Sequence, residues 1–173
     1  MGKKLHWSRQ AVVQLLKTAG PQDEFFLVQS SNRPVLITAF TTDTDEIDSR
    51  LALAQPVGRS ALLDAIYMAL GQLKGARNPH KALLVISDGG NNSSRYSEGE
   101  IKLIVREADI PIYAIGVYEP FALRGRTAEE LFGPGLLYGL ADQSGARHFA
   151  VEALAEVPDV IAQLSKALRA ERR

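Results

Sequence analysis

The chain has 173 residues, 46% of them hydrophobic and 23% charged, the balance of one soluble globular domain that buries roughly two-thirds of its unfolded surface. Its 20 basic side chains cancel its 20 acidic ones, which argues against a nucleic-acid groove or a membrane-surface module. The absence of cysteine excludes disulfide scaffolds, zinc–thiolate sites, iron–sulfur clusters and thiol nucleophiles. No apolar run approaches the ~20 residues of a membrane span, and Met1-Gly2-Lys3-Lys4 leads into no signal-type segment. The expectation is a single domain over residues 1–173 without membrane insertion, its compartment undetermined.

Val12, Leu15, Leu16 and Ala19 recur at helical spacing and predict an amphipathic helix from about Lys4 to Ala19, closed by Gly20-Pro21. Phe25-Phe26-Leu27-Val28 and Pro34-Val35-Leu36-Ile37 are β-prone runs flanking a short polar turn, which predicts a hairpin. Thr44-Asp45-Glu46 opens a short helix ending near Ala54. Asp43, Asp45 and Asp48 lack the glycine and closing glutamate of a calcium loop and read as a helix cap with its first-turn charge.

Leu62, Leu63, Ile66, Leu70 and Leu73 mark a third helix. Leu83-Leu84-Val85-Ile86 and Pro111–Val117 are almost wholly apolar, as strands buried on both faces of a parallel sheet are. Ile101, Ile104, Val105 and Ala108 place a helix between them. A polar, glycine-containing stretch from Tyr118 to Gly135 leads to a helix around Leu136–Gln143, then a last strand at His148–Val151. Val157, Val160, Ile161, Leu164 and Leu168 form the closing helix, where Lys166, Arg169, Arg172 and Arg173 complement the dipole at its end. This alternation predicts an α/β fold: a doubly wound, Rossmann-like, mostly parallel sheet with one antiparallel edge strand and helices on both faces.

Ligands on such sheets sit at the carboxyl ends of the strands, and two segments stand out there. Gly58-Arg59-Ser60-Ala61-Leu62-Leu63-Asp64-Ala65 sets a hydroxyl at a helix start. Ile86-Ser87-Asp88-Gly89-Gly90 sets a carboxylate where a strand ends. Together Ser60 and Asp88 make an all-oxygen pair suited to Mg²⁺ or Mn²⁺ and unsuited to zinc. A plainer account of the same residues is open: Ser60 as an N-cap, Asp64 as a first-turn acid and Asp88-Gly89 as a turn. His6, His80 and His148 have no ligand spacing, and Gly133-Pro134-Gly135 is no dinucleotide fingerprint.

The two segments just quoted, with Pro111-Ile112-Tyr113-Ala114-Ile115-Gly116 and Leu140-Ala141-Asp142-Gln143-Ser144-Gly145, keep an order and spacing that resemble a von Willebrand factor type A domain of the bacterial, acidobacterial kind. The resemblance implies a non-catalytic adhesion module. In that family a metal-ion-dependent adhesion site holds a divalent cation through three loops and leaves one position open for a partner's carboxylate. Ser60 matches the family's threonine and Asp88 its aspartate. The Asp-x-Ser-x-Ser loop and the central first strand have no counterpart in this sequence, whose Met1-Gly2 resembles the dipeptide that follows that loop.

The expectation is therefore an N-terminally truncated domain lacking its central strand, with a weak or lost site for Mg²⁺ or Mn²⁺. The resemblance places the gap between Phe25–Gln29 and Ala82–Ser87. Direct closure of the half-sheets, a strand from another chain, or rearrangement of the N-terminal segment would each answer it, and a homo-oligomer through exposed strand edges is the outcome favoured. A protein partner is expected, and no nucleic acid. Two rivals remain: a metal-independent scaffold, and a receiver-like phospho-acceptor at Asp88, which lacks the companion acids such chemistry needs. Phe121, Arg124 and Arg126, following a strand end, are candidates for shaping partner choice.

Overall fold

The computed structural model describes residues 2–55, 59–119 and 128–171. Gly58, Phe121, Arg124, Arg126, Arg172 and Arg173 lie outside the described residues. In chain order the elements are α1 (Gly2–Leu16), β1 (Phe25–Ser30), β2 (Pro34–Thr41), α2 (Thr44–Ala52), α3 (Leu62–Lys74), β3 (Leu83–Ser87), α4 (Glu98–Ala108), β4 (Ile112–Val117), α5 (Ala128–Gln143), β5 (His148–Val151) and α6 (Val157–Glu171), with a 3₁₀ turn at Leu154–Glu156. Strand–helix alternation thus yields the expected α/β fold.

Local chemistry sets several boundaries. Asp43 accepts from the backbone N–H groups of Asp45 and Glu46, so it caps α2 as expected, with Asp45 and Glu46 as the acids of the first turn. Ser97 and Glu100 form a reciprocal capping box at the start of α4, and Asp109 ends that helix in the left-handed conformation at φ 53°. Helix α1 stops at Leu16, short of the predicted Ala19, because Thr18 and Ala19 donate to Leu15 and Leu16 and tighten its last turn.

Helix α5 departs more from its sequence reading. It begins at Ala128, inside the polar, glycine-containing stretch expected to precede it, and carries Pro134 between two glycines. By local propensity Gly-Pro-Gly breaks a helix. Packing overrides that preference here: Leu137, Leu140 and Ala141 are buried in the core, and the Gly133 backbone lies directly against Gly89.

Strand β4 is the middle of the molecule. It pairs in parallel with β3 on one side and with β5 on the other, and each of its residues is buried. Period-2 geometry sends Ile112 and Ala114 into a core shared with α3, α4 and α5, and Tyr113, Ile115 and Val117 into a second core shared with α1 and α6. Helices therefore cover both faces of this three-stranded sheet.

Strands β1 and β2 form a separate antiparallel sheet. Among the described residues no backbone hydrogen bond joins β1 to β3. The break falls where the resemblance placed a missing central strand, and the half-sheets do not close on each other. Side chains hold them in one body. Helix α3 packs on β1, β2 and β3, Phe26 and Phe40 meet with ring centroids 5.0 Å apart and rest against the core of α3–α5, and Arg9 of α1 donates to the carbonyl of Ala54, just past α2, at 2.7 Å. Among the described residues no helix is long and apolar enough to cross a membrane.

Candidate functional site

The carboxyl ends of β1 and β3 meet at one rim. Ala61 N donates to Ser31 O at 2.6 Å, just beyond β1. The loop after β3 is stitched to the residues before α3: Ser60 N donates to Asn92 Oδ1 at 2.9 Å, and Asn92 N returns to Ser60 O at 2.9 Å. Asn91 Oδ1 accepts from Leu63 N at 3.3 Å and from Ser94 Oγ at 2.5 Å. The two predicted site segments are thus neighbours.

Ser60 is not the N-cap of α3. That place belongs to Ala61, which has no side-chain cap bond, and the Ser60 hydroxyl lies 2.9 Å from that of Ser30 at the end of β1. Asp64 exceeds the expected first-turn role. Its carboxylate accepts from Arg95 N at 2.9 and 3.0 Å and from Tyr96 N at 3.1 Å, pinning the far end of the loop that carries Asp88.

Asp88 is held from two sides. Its Oδ1 accepts from Gly90 N at 2.9 Å, and its Oδ2 pairs with Lys4 Nζ at 2.9 Å. Lys4 was not among the expected site residues. A signal for it exists: Lys3 and Lys4 sit in the first turn of α1 with no acid beside them, where the helix dipole disfavours cations. A carboxylate 84 positions away supplies the missing charge.

Behind the rim, Tyr118 folds back over Gly116, where a Cβ would fall 2.0 Å from its hydroxyl. The hydroxyl lies 2.9 Å from Nε2 of His148. Burial, and then the charge of Asp88, push the Tyr118 phenol above its usual range. Burial holds the His148 imidazole below its usual value. The unfolded chain therefore binds more protons than the folded one once pH falls below about 6.5, and stability drops with pH in that window. The melting temperature is expected to decline between about pH 7 and pH 5, and His148→Gln is expected to flatten that slope in scanning calorimetry. An unchanged slope would contradict the assignment.

As a holder for a divalent ion this donor set fits poorly. Asp88 brings a carboxylate already paired with an ammonium, and the Ser60 hydroxyl is engaged by Ser30. Among the described residues no group of three His, Cys, Asp or Glu side chains gathers to hold a metal, whereas hard cations call for several oxygen ligands.

A family model for the von Willebrand factor type A domain matches residues 1–91, more than half of the chain. The chain belongs to that family. Type A domains generally act as protein-interaction modules rather than enzymes. Human inter-alpha-trypsin inhibitor heavy chain H4 is 26% identical over 144 residues, which cover 80% of this chain and 14% of that protein. This type A domain thus spans about a seventh of the curated relative it matches. Among solved structures, BatB from Bacteroides thetaiotaomicron superposes with a TM-score of 0.70 at 16% identity, over 94% of this chain and 87% of that one. Proximal thread matrix protein 1 from the mussel byssus, with zinc in its MIDAS motif, superposes with a TM-score of 0.69 at 17% identity, over 94% of this chain and 40% of that one. Both likenesses are of fold.

Proposed function

We propose that the chain is a non-catalytic protein-interaction module whose contact face is the rim at the ends of β1 and β3, where it receives an acidic side chain of a partner protein. Ser60 and Asp88 are the residues that would face Mg²⁺ or Mn²⁺ there, and that cation site is impaired in this chain. The observation carrying the reading is the convergence of Ser30, Ser60, Asn92, Asp88 and Lys4 through hydrogen bonds and one ion pair. The metal-bearing MIDAS motif of the mussel protein adds support by analogy.

The test is a titration of the ¹⁵N-labelled chain with a glutamate-rich peptide, followed by amide shifts. Shifts centred on Ser30, Ser60 and Asp88–Ser93 are expected. The rival surface is a groove of about 780 Å³ between α1 and α6, lined in part by Lys17, Lys166 and Arg169. Shifts confined to that groove, or none at all, would overturn the reading.

A second reading rests on the split sheet. Among the described residues the split leaves an edge of β1 and an edge of β3 unpaired, and such edges invite pairing with another chain, so self-association through β1 or β3 is proposed alongside partner binding. Sedimentation velocity across the micromolar range decides it, and a single monomeric species at every concentration would remove it.

A further inference from the structure

We propose that Lys4 is the resident cation of this rim: its ammonium takes the place of a divalent ion on Asp88, and a partner's carboxylate docks against that ammonium without metal. This rests on the reading of the rim as an acid-receiving face and specifies what does the receiving. The disagreement between a family known for divalent ions and the donor set seen here is the starting point.

A metal at such a site joins a protein carboxylate to an incoming one by sitting between them. An ammonium does the same with directed hydrogen bonds, because it has three N–H donors and no acceptor. One donor of Lys4 is spent on Asp88 Oδ2 at 2.9 Å, and among the described residues Nζ has no other protein acceptor. Among the described residues, that leaves two donors for a ligand. The side chains of Lys4 and Asp88 are 18% and 28% exposed, sheltered enough to weaken screening and open enough to be reached.

Geometry is fixed on both sides of the pair. Asp88 cannot swing away from Lys4 without giving up the bond from Gly90 N to its Oδ1. The backbone of Gly89 is itself pinned against Gly133 of α5. Lys4 projects from α1, which is anchored by Ala11 in the core shared with β4 and α6. The first turn of α1 offers no acid that would compete for the ammonium. An ion pair with a carboxylate held this way also bars a divalent ion, which would have to displace a tethered cation of its own sign.

Two measurements on the full chain test this together: Mn²⁺ uptake by calorimetry, and anisotropy of a labelled glutamate-rich peptide with and without EDTA. The parent chain is expected to bind the peptide equally well in both conditions and to show no saturable Mn²⁺ uptake at millimolar metal. Lys4→Gln is expected to lose peptide binding by about tenfold or more. Lys4→Arg keeps the charge and is expected to keep metal-independent peptide binding, and a melting temperature of Lys4→Gln close to that of the parent chain is expected to show that its loss is not a folding failure.

Peptide binding that requires Mn²⁺ in the parent chain would overturn the inference while leaving the rim as the acid-receiving face. Equal peptide binding by the parent chain and Lys4→Gln, or saturable Mn²⁺ uptake by the parent chain, would also overturn it. Absence of peptide binding with and without metal would overturn both the inference and the reading beneath it.

Discussion

Gly89→Ala is expected to lower the unfolding free energy by about 3 kcal/mol or more, and the melting temperature by roughly 6–12 °C. Two costs combine. Gly89 has φ 82°, a conformation that costs an L-residue on the order of 1–2 kcal/mol. A Cβ there would also lie 2.2 Å from the carbonyl oxygen of Gly133, and backbone cannot rotate away as a side chain can. Helix α5 would have to shift at the turn that carries Pro134, and Asp88 would lose its fixed aim beside Lys4. Thermal unfolding followed by far-ultraviolet dichroism measures the first effect. An unchanged melting temperature would show that α5 does not rest on this loop in solution.

Leu70→Ala is expected to cost about 3–4 kcal/mol. Leu70 is 2% exposed and lies in the core formed by α3, α4, α5 and the strands, so its removal forfeits transfer energy and leaves a cavity in that core. Its position raises the stakes, because α3 packs on both sheets. The control is Leu103→Ala on α4, which is 58% exposed and should stay within about 0.5 kcal/mol of the parent chain. Urea denaturation with a shared slope for all three chains separates the two cases. A shift of similar size in both variants would contradict the assignment of α3 as the bridge.

What the sequence disclosed followed from local patterns. Strands β3 and β4 are legible because a strand buried on both faces needs an unbroken apolar run, and Leu83–Ile86 and Ile112–Val117 supply one. The cap at Asp43 is legible because capping acts across two or three residues. The beginning of α5 is not, since local propensity at Gly133-Pro134-Gly135 opposes the tertiary contact with Gly89 that decides the outcome. At the site, Ser60 and Asp88 could be named from their places at a helix start and a strand end. Their partners could not: Lys4 reaches Asp88 across 84 positions, and Asp64 holds Arg95 and Tyr96 across 31 and 32. A pair of lysines in an acid-free first turn was the one local trace of the first contact.

The gap between β1 and β3 also sets how the molecule breathes. A two-stranded hairpin is marginal by itself, and β1–β2 borrows its order from α3 and from the Phe26–Phe40 packing rather than from a continuous ladder. Among the described residues, opening it severs no backbone bond to β3, so it is expected to detach while β3–β4–β5 stays intact. Amide protons of Leu27 and Val28 are then expected to exchange with solvent through a shallow local excursion, and those of Ala114 and Ile115 only on global unfolding. Two tiers of protection are therefore expected in hydrogen exchange, and the rim is built across the seam between them. Ser30 stands on the looser side and Asp88 on the tighter one, so whatever binds there fastens the hairpin to the rest of the protein.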